Sequence, residues 1–299
     1  MKILPLSFIT LAVLPFTTSA IEIVTGQQSL EFHGYFRGGL GMSEHGNTQA
    51  KFQAPGARAK YRLGNEPETN MELKFVYAYD MKDPEADNAN IQGVIMLDGF
   101  KNHGDSTDFT VDNLAQGYLS FNDLFDNGVK LWLGRRYYDR KSIHIMNHYW
   151  LNSGQNSHAG VGFEDLTIAN GKLNMAIFRH EDKDTVDNIN YELINNTALD
   201  ARWHSLPLSQ HSSLTLWGQL AGRSEQASLP NVDRESGIGL GFWIDHKSGK
   251  VNNTLALIHQ TGASITQADF NPRPVRESDG WVVDQASVLE INNTLTYES

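Results

Sequence analysis

Residues 131–166 read LWLGRRYYDRKSIHIMNHYWLNSGQNSHAGVGFEDL, and this stretch carries the signals that decide the fold. Its first residues alternate Leu131 and Leu133 with Trp132 and Gly134, which is the two-residue period of a β-strand. Arginines, tyrosines and histidines follow in a dense group, before a small polar loop. Aromatic planes stack on the apolar faces of sugars, while Arg, Asp and Asn side chains hydrogen-bond sugar hydroxyls. The stretch therefore indicates a strand that leads into a segment suited to contact sugars.

The same alternation recurs along most of the chain. Residues 29–42, SLEFHGYFRGGLGM, place Leu30 and Phe32 on an apolar face and Tyr35 and Arg37 on a polar, aromatic one. Similar strand patterns are present in residues 57–63, 70–79, 173–178, 199–204, 214–220, 237–244, 254–257 and 289–298. We count about 12–13 strands of roughly ten residues, joined alternately by short turns and longer polar loops. A helical turn is predicted near residues 111–115.

This pattern predicts an all-β fold, a transmembrane antiparallel β-barrel that is apolar toward lipid and polar toward a lumen. A secreted β-sandwich or jelly roll is the alternative, because its strands also alternate. Sandwich strands tend to be shorter, and their polar face would point to solvent with no reason to collect Arg and Tyr. Asp200, Arg202 and His204 give one strand a face too polar for a sandwich core.

The N-terminus predicts export. Met1 and Lys2 precede an apolar run, and a small-residue cleavage pattern ends at Ala20, so we interpret residues 1–20 as a signal peptide and residues 21–299 as the barrel domain. No later segment has the roughly 18 consecutive apolar residues of a membrane-spanning helix. The net charge of -11, without a basic stripe, argues against nucleic-acid binding. The absence of cysteine excludes disulfides, thiolate catalysis and cysteine-ligated zinc.

No signal of catalysis stands out. The chain has no nucleophile-elbow or phosphate-loop motif, and no carboxylate pair is marked as an acid and a base. His144, His148 and His158 are the best metal candidates, but their surroundings indicate strand and loop rather than one helix face. We therefore expect neither an enzyme nor a bound metal or cofactor.

Several segments have a familiar combination of residues: Phe32–Gly41 (FHGYFRGGLG), Lys60–Thr69 (KYRLGNEPET) with Met71–Lys74 (MELK), Leu131–Trp150, Gly160–Leu166 and Gly171–Arg179. These segments resemble the maltoporin family of sugar-specific outer-membrane porins. Two others, Val94–Gly99 (VIMLDG) and Asn196–Leu208, are more similar to the β-glucoside porin branch of that family. The resemblance covers most of the chain up to residue 260 and is weaker beyond it.

The resemblance implies a trimeric transmembrane antiparallel β-barrel of the porin type, with about 18 strands, in a Gram-negative-type outer membrane, and a long third loop folded into the channel. It also implies facilitated diffusion of maltodextrin-like or β-glucoside-like oligosaccharides along a file of aromatic side chains and a flanking ionic track. Six side chains match this path, one in the aromatic file, four in the track and one at the constriction: Tyr35; Arg37, Arg62, Glu72 and Arg140; and Tyr149. A general diffusion porin and a secreted sugar-binding β-sandwich are the alternative functions.

The sequence also departs from the family pattern. Asn70 takes the place of a second aromatic-file tyrosine, Ser142 and Asn147 replace two track aspartates, and a track arginine aligns near Val111. These changes leave open an oligosaccharide specificity that is broader than that for maltodextrins or different from it. The last residues, 297–299, do not form the usual aromatic-ended closing strand, so we expect the C-terminal part of the family barrel to be missing.

Overall fold

The computed structural model describes residues 21–39, 68–81, 89–102, 109–111, 113–123, 127–143, 148–151, 153, 157–182, 185–186, 189–190, 194–223, 235–267, 275–277, 280–282 and 287–297. Strands are numbered below in chain order.

Most of the described chain forms one antiparallel sheet of 13 strands, each hydrogen-bonded to the next along the chain. Its members, from edge to edge, are β1 (Ile21–Thr25), β2 (Gln28–Gly38), β3 (Glu68–Asp80), β4 (Asn90–Asn102), β5 (Asn113–Asn122), β6 (Lys130–Arg135), β9 (Ser157–Ile168), β10 (Gly171–Asp182), β13 (Ile194–Ser209), β14 (Ser212–Arg223), β15 (Glu235–Ser248), β16 (Val251–Thr261) and β19 (Ser287–Tyr297). This confirms the predicted all-β fold and the predicted strand number.

Three hairpins lie outside this main sheet: β7 (Lys141–Ile143) with β8 (His148–Leu151), β11 (Thr185–Val186) with β12 (Ile189–Asn190), and β17 (Val275–Glu277) with β18 (Gly280–Val282). A 3₁₀ helix spans Gly262–Gln267. Within the described ranges, no helix is long and apolar enough to cross a membrane.

Connections between the main-sheet strands alternate in length. Two-residue turns at 26–27, 169–170, 210–211 and 249–250 join four of the strand pairs. Because consecutive strands are antiparallel, these turns share one rim of the sheet, and the long connections share the other. Short turns on one rim and long loops on the other are typical of transmembrane β-barrels.

The two faces of the sheet differ in the way that alternation predicts. On β19, for example, Ile291 is 69% exposed while its neighbour Asn292 is 8% exposed. Exposed apolar side chains recur on one face from β2 to β19: Leu30, Phe75, Ile95, Leu119, Leu133, Val161, Ile177, Leu216, Ile238, Leu255 and Ile291. We call this the outer face. A continuous apolar surface of this extent marks contact with lipid rather than with water.

The opposite, inner face is covered by the chain itself. Gly134 has φ +126°, a conformation that glycine adopts far more readily than other residues, and just beyond it the chain leaves β6 and folds over the inner face. We call the described part of residues 136–153 the inward segment. Its Tyr138 packs with Trp132 and Phe178, and its Trp150 and Leu151 pack with tryptophans of β14 and β15. The inward-folded loop implied by the resemblance is therefore present.

The 3₁₀ helix covers another part of the inner face. Its Ala263 is fully buried against Ala198 of β13 and Ala221 of β14. The inward segment and the 3₁₀ helix thus cover the part of the inner face that contains these buried side chains.

One predicted element is wrong and another is outside the described chain. Instead of the helical turn predicted near 111–115, residues 113–115 are strand, because β5 begins at Asn113. β4 and β5 have a register shift between Met96 and Leu97, opposite Ala115. The two-residue alternation of β5 is interrupted there, so the sequence pattern did not predict a strand. The strand predicted at residues 57–63 lies outside the described residues.

Gly162 is expected to be required for close packing around Trp132, near the point where the inward segment leaves β6. A Cβ atom there would lie 2.6 Å from the Met175 carbonyl oxygen and 2.9 Å from the Trp132 indole nitrogen. Gly162→Val should therefore lower the free energy of unfolding by about 1–3 kcal/mol, measured by urea titration in detergent. Gly222→Val is the matched control, because a Cβ atom at Gly222 would have no neighbouring atom within 4 Å. Equal effects of the two substitutions would contradict this packing.

Candidate functional site

Five of the six predicted path residues lie in the described chain, in two groups. Tyr35, Arg37 and Glu72 belong to the wall formed by β2 and β3, while Arg140 and Tyr149 belong to the inward segment. All five side chains are partly buried. Arg62, predicted as a track residue, lies outside the described residues.

The wall group is arranged by strand register. Tyr35 of β2 is directly opposite Glu72 of β3, and Glu72 is directly opposite Asp98 of β4. Such cross-strand neighbours have their Cβ atoms about 5 Å apart on one face. This row therefore presents a phenol and two carboxylates side by side on the inner face.

Arg37 lies in the next inner row, opposite Asn70. Its guanidinium forms an ion pair with the buried carboxylate of Glu68. Arg37 is thus held by a partner 31 residues away in the sequence, which fixes its position on the wall.

Arg140 and Tyr149 come together on the inward segment, although they are nine positions apart in the sequence. The Arg140 guanidinium carbon lies 3.8 Å from the centroid of the Tyr137 ring and 4.8 Å from that of Tyr149. Cation–π attraction stabilises such contacts, and the planar guanidinium keeps its N–H donors available at the edge. The predicted track arginine and constriction tyrosine therefore form one unit with Tyr137.

Tyr137 links this unit to the main sheet. Its backbone N–H donates to the Gln116 side-chain oxygen of β5 at 3.1 Å. Burial, opposed by Arg140 and reinforced by Asp98 and Glu72, raises the pKa of the Tyr137 hydroxyl to about 12. The phenol consequently stays neutral and able to donate a hydrogen bond at physiological pH.

Arg136 attaches the start of the inward segment to the sheet. Its guanidinium donates to Glu164 at 3.1 Å and lies 5.1 Å and 5.2 Å from the ring centroids of Tyr118 and Trp132. Farther along, Trp150 meets Trp243 edge to face at 5.5 Å between ring centroids. The segment is therefore supported from β5 to β16 rather than suspended in the channel.

Arg202 of β13 forms the most buried ionic contact of the described chain. Its side chain is 1% exposed and that of its partner Asp200 is 0% exposed. The guanidinium also bonds Asp139 and Ser153 of the inward segment. Burial raises the pKa of the Asp139 carboxyl, but the cations of Arg202 and Lys141 lower it by more, so the net pKa lies below its ordinary value. Asp139 is therefore ionised at neutral pH.

A polar cavity of about 430 Å³ lies between the inward segment and the two-residue-turn rim. Asp165 and His204 line part of it, and the Asp165 carboxylate pairs with Lys130 at 2.9 Å and Lys172 at 3.5 Å. In the described ranges, no group of three or more His, Asp or Glu residues is placed to hold a metal ion. His144 and the side chains of His148 and His158 fall outside what the structure describes.

The inner face thus carries phenols, guanidinium groups and carboxylates around an inward-folded segment, while the outer face is apolar. The family model for LamB porin matches residues 30–298 of this chain. The chain belongs to the LamB porin family. The match confirms the family resemblance, and together with the 13-stranded antiparallel sheet it confirms the barrel-type fold. LamB porins are channels of the Gram-negative outer membrane rather than enzymes. The β-sandwich alternative is wrong, because 13 strands of this LamB porin form a single sheet whose outer face carries exposed apolar side chains.

Sequence reasoning missed several residues that shape this LamB porin. Tyr137, Gln116, Glu68 and Asp98 contact or neighbour the predicted path residues but did not stand out individually. A signal existed for the Arg202 contact, since Asp200 precedes it by two residues on the polar face of a predicted strand. Opposite charges at that spacing share one side of the sheet.

Proposed function

We propose that this LamB porin mediates facilitated diffusion of oligosaccharides, maltodextrin-like or β-glucoside-like, along the inner face of its sheet. The observation that carries the proposal is the stacking of Arg140 between Tyr137 and Tyr149 on a segment folded over that face. The path consists of Tyr35, Arg37, Arg62, Glu72, Arg140 and Tyr149. Passage needs no covalent chemistry and no cofactor.

The chemistry of the path fits a sugar. Guanidinium groups donate hydrogen bonds to hydroxyl oxygens, the carboxylates accept from hydroxyl hydrogens, and the phenol rings offer faces to C–H surfaces. Glu72 and Arg140 thus supply complementary partners for a hydroxyl-lined solute. Several weak contacts in series allow a solute both to enter and to leave.

The departures from the family pattern bear on substrate choice. Asn70 offers an amide where the family has a stacking ring, and Ser142 offers a hydroxyl where it has a carboxylate. Both changes shift the path from stacking and charge toward neutral hydrogen bonds. We propose that β-glucosides are accepted alongside maltodextrins.

Export and assembly complete the proposal. Residues 1–20 act as the signal peptide, residues 21–299 form the channel domain, and three copies associate as a homotrimer. A general diffusion porin is the nearest alternative, in which entry would depend only on solute size.

Tyr35→Ala is expected to slow sugar entry, because the substitution removes a ring from the inner wall. Swelling of proteoliposomes in maltose-series and β-glucoside oligosaccharides should slow by about threefold to tenfold, the effect of losing roughly 1 kcal/mol of aromatic contact. Swelling in arabinose, a small sugar with few contacts, should not change.

Tyr77→Ala is the matched control, because Tyr77 lies on the outer face and is 45% exposed. It removes the same side chain without touching the path, so its swelling rates should equal those of the wild type. Rates that follow solute size alone in every variant would establish general diffusion and overturn the sugar-specific proposal.

A further inference from the structure

A single guanidinium contacts the inward segment on both sides of Arg140 and Tyr149. Arg202 Nη1 donates to the backbone oxygen of Asp139 at 2.8 Å and to its Oδ2 at 2.9 Å. Arg202 Nη2 donates to Ser153 Oγ at 3.2 Å. Asp139 immediately precedes Arg140, and Ser153 follows Tyr149 by four residues. Both proposed sugar-contacting side chains therefore lie between two points that one residue of the sheet holds.

Arg202 is itself held in place. Its Nε donates to Asp200 Oδ1 at 2.8 Å, and Asp200 Oδ2 accepts from Ser153 Oγ at 2.7 Å and from Trp217 Nε1 at 2.8 Å. The Tyr138 ring centroid lies 4.7 Å from the guanidinium carbon. A planar fork with every edge engaged has one orientation, and in a buried site its hydrogen bonds are strong.

Stability alone is a weak explanation for this arrangement. A buried ion pair often contributes less to stability than apolar residues of similar volume would, because both charges must be desolvated. Tyr138, Trp217 and Phe178 show that this part of the inner face can be packed with apolar groups. The directional contacts of Arg202 instead determine where the inward segment lies relative to the wall.

We propose that Arg202 is a positioning residue, which holds the inward segment at one distance from the channel wall and so keeps Arg140 and Tyr149 in a single geometry toward a passing sugar. The effect on sugar rests on the proposed function. The effect on the segment does not, because a mobile segment in a channel changes the ion current even when no sugar is present. Two readouts therefore separate the two claims.

The test records single-channel currents in planar bilayers, first in salt and then with maltohexaose or a β-glucoside oligosaccharide. Arg202→Met, which removes all the hydrogen bonds, should add rapid fluctuations to the open current without sugar. It should also raise the sugar dissociation rate by about tenfold, because a displaced Arg140 would lose the equivalent of one charge-assisted hydrogen bond to the sugar. Arg202→Lys should lie between the wild type and Arg202→Met, since its ammonium lacks the fork.

Two further variants make the outcome decisive. Lys172→Met removes one cation from the same inner face but leaves the contacts of Arg202 intact, so its current should stay quiet. Ser153→Ala releases only the far end of the segment, and we expect a smaller rise in current noise from this mild substitution. If Arg202→Met does not insert into the bilayer, the current noise of Ser153→Ala tests the positioning role instead.

Quiet currents and unchanged dissociation rates in Arg202→Met, or in Ser153→Ala if only that variant inserts, would overturn the proposal. An equal effect of Lys172→Met would also overturn it, by showing that charge rather than position matters. Added noise in Arg202→Met, from a wild type that no sugar blocks, would support the positioning role while refuting the sugar function.

Discussion

Arg140→Ala is expected to raise the apparent dissociation constant of sugar block by about 10-fold to 100-fold. Loss of hydrogen bonds from a charged donor costs roughly 1.5–3 kcal/mol, which corresponds to a change of that size. The substitution also removes the group stacked between Tyr137 and Tyr149, so both rings lose a fixed neighbour. The measurement is current block in planar bilayers as a function of sugar concentration.

Arg140→Lys distinguishes charge from shape at the same position. Lysine keeps the positive charge but neither the planar stacking surface nor the five-donor fork. We expect it to recover only part of the affinity. A dissociation constant for Arg140→Ala equal to that of the wild type would remove the inward segment from the sugar path.

Asp200→Ala is expected to have the largest effect on stability, lowering the free energy of unfolding by about 3–5 kcal/mol. The substitution leaves the fully buried Arg202 without its nearest carboxylate and removes the acceptor of Ser153 and Trp217. Asp139, whose side chain is 40% exposed, is then the remaining carboxylate partner of Arg202. A buried guanidinium that loses its buried partner is costly because the low-dielectric interior cannot solvate the charge in its place. Urea unfolding in detergent, followed by tryptophan fluorescence, measures the change.

Asp165→Ala is the control for this prediction. Asp165 also pairs with two cations, Lys130 and Lys172, but its side chain and theirs are partly exposed. Ion pairs of this kind contribute roughly 0–1 kcal/mol. Comparable destabilisation by Asp165→Ala and Asp200→Ala would show that the burial of the Arg202 contact has no special energetic weight.

The sheet was predictable because its physics is local. A strand between lipid and a polar lumen must alternate apolar and polar side chains, and Leu199, Asp200 and Arg202 show this pattern in the sequence itself. The same rule placed Tyr35 on the inner face and Tyr77 on the outer one, as the structure has them. The rule failed near Ala115, where a register shift interrupts the two-residue period.

The contacts of the site were not predictable in the same way, because they join distant parts of the chain. Ser153 and Asp200 are 47 residues apart, and Arg37 and Glu68 are 31 apart. Residues 136–140 show no two-residue alternation, so their sequence does not predict which strands they cover. Their position follows from the packing of Tyr138 on Trp132 and Phe178. The sequence predicted that Arg140 and Tyr149 belong to the path, whereas only the structure shows that Tyr137 lies beside Arg140.

The most direct test of sugar-specific transport is the current through single channels of this chain while maltohexaose or a β-glucoside oligosaccharide is titrated in. We predict stepwise ion conductance that the sugar blocks in a saturable manner, because sugar and ions would share the proposed path beside Arg140 and Tyr149. Steady conductance with no block at any sugar concentration would contradict this and leave a porin without sugar specificity.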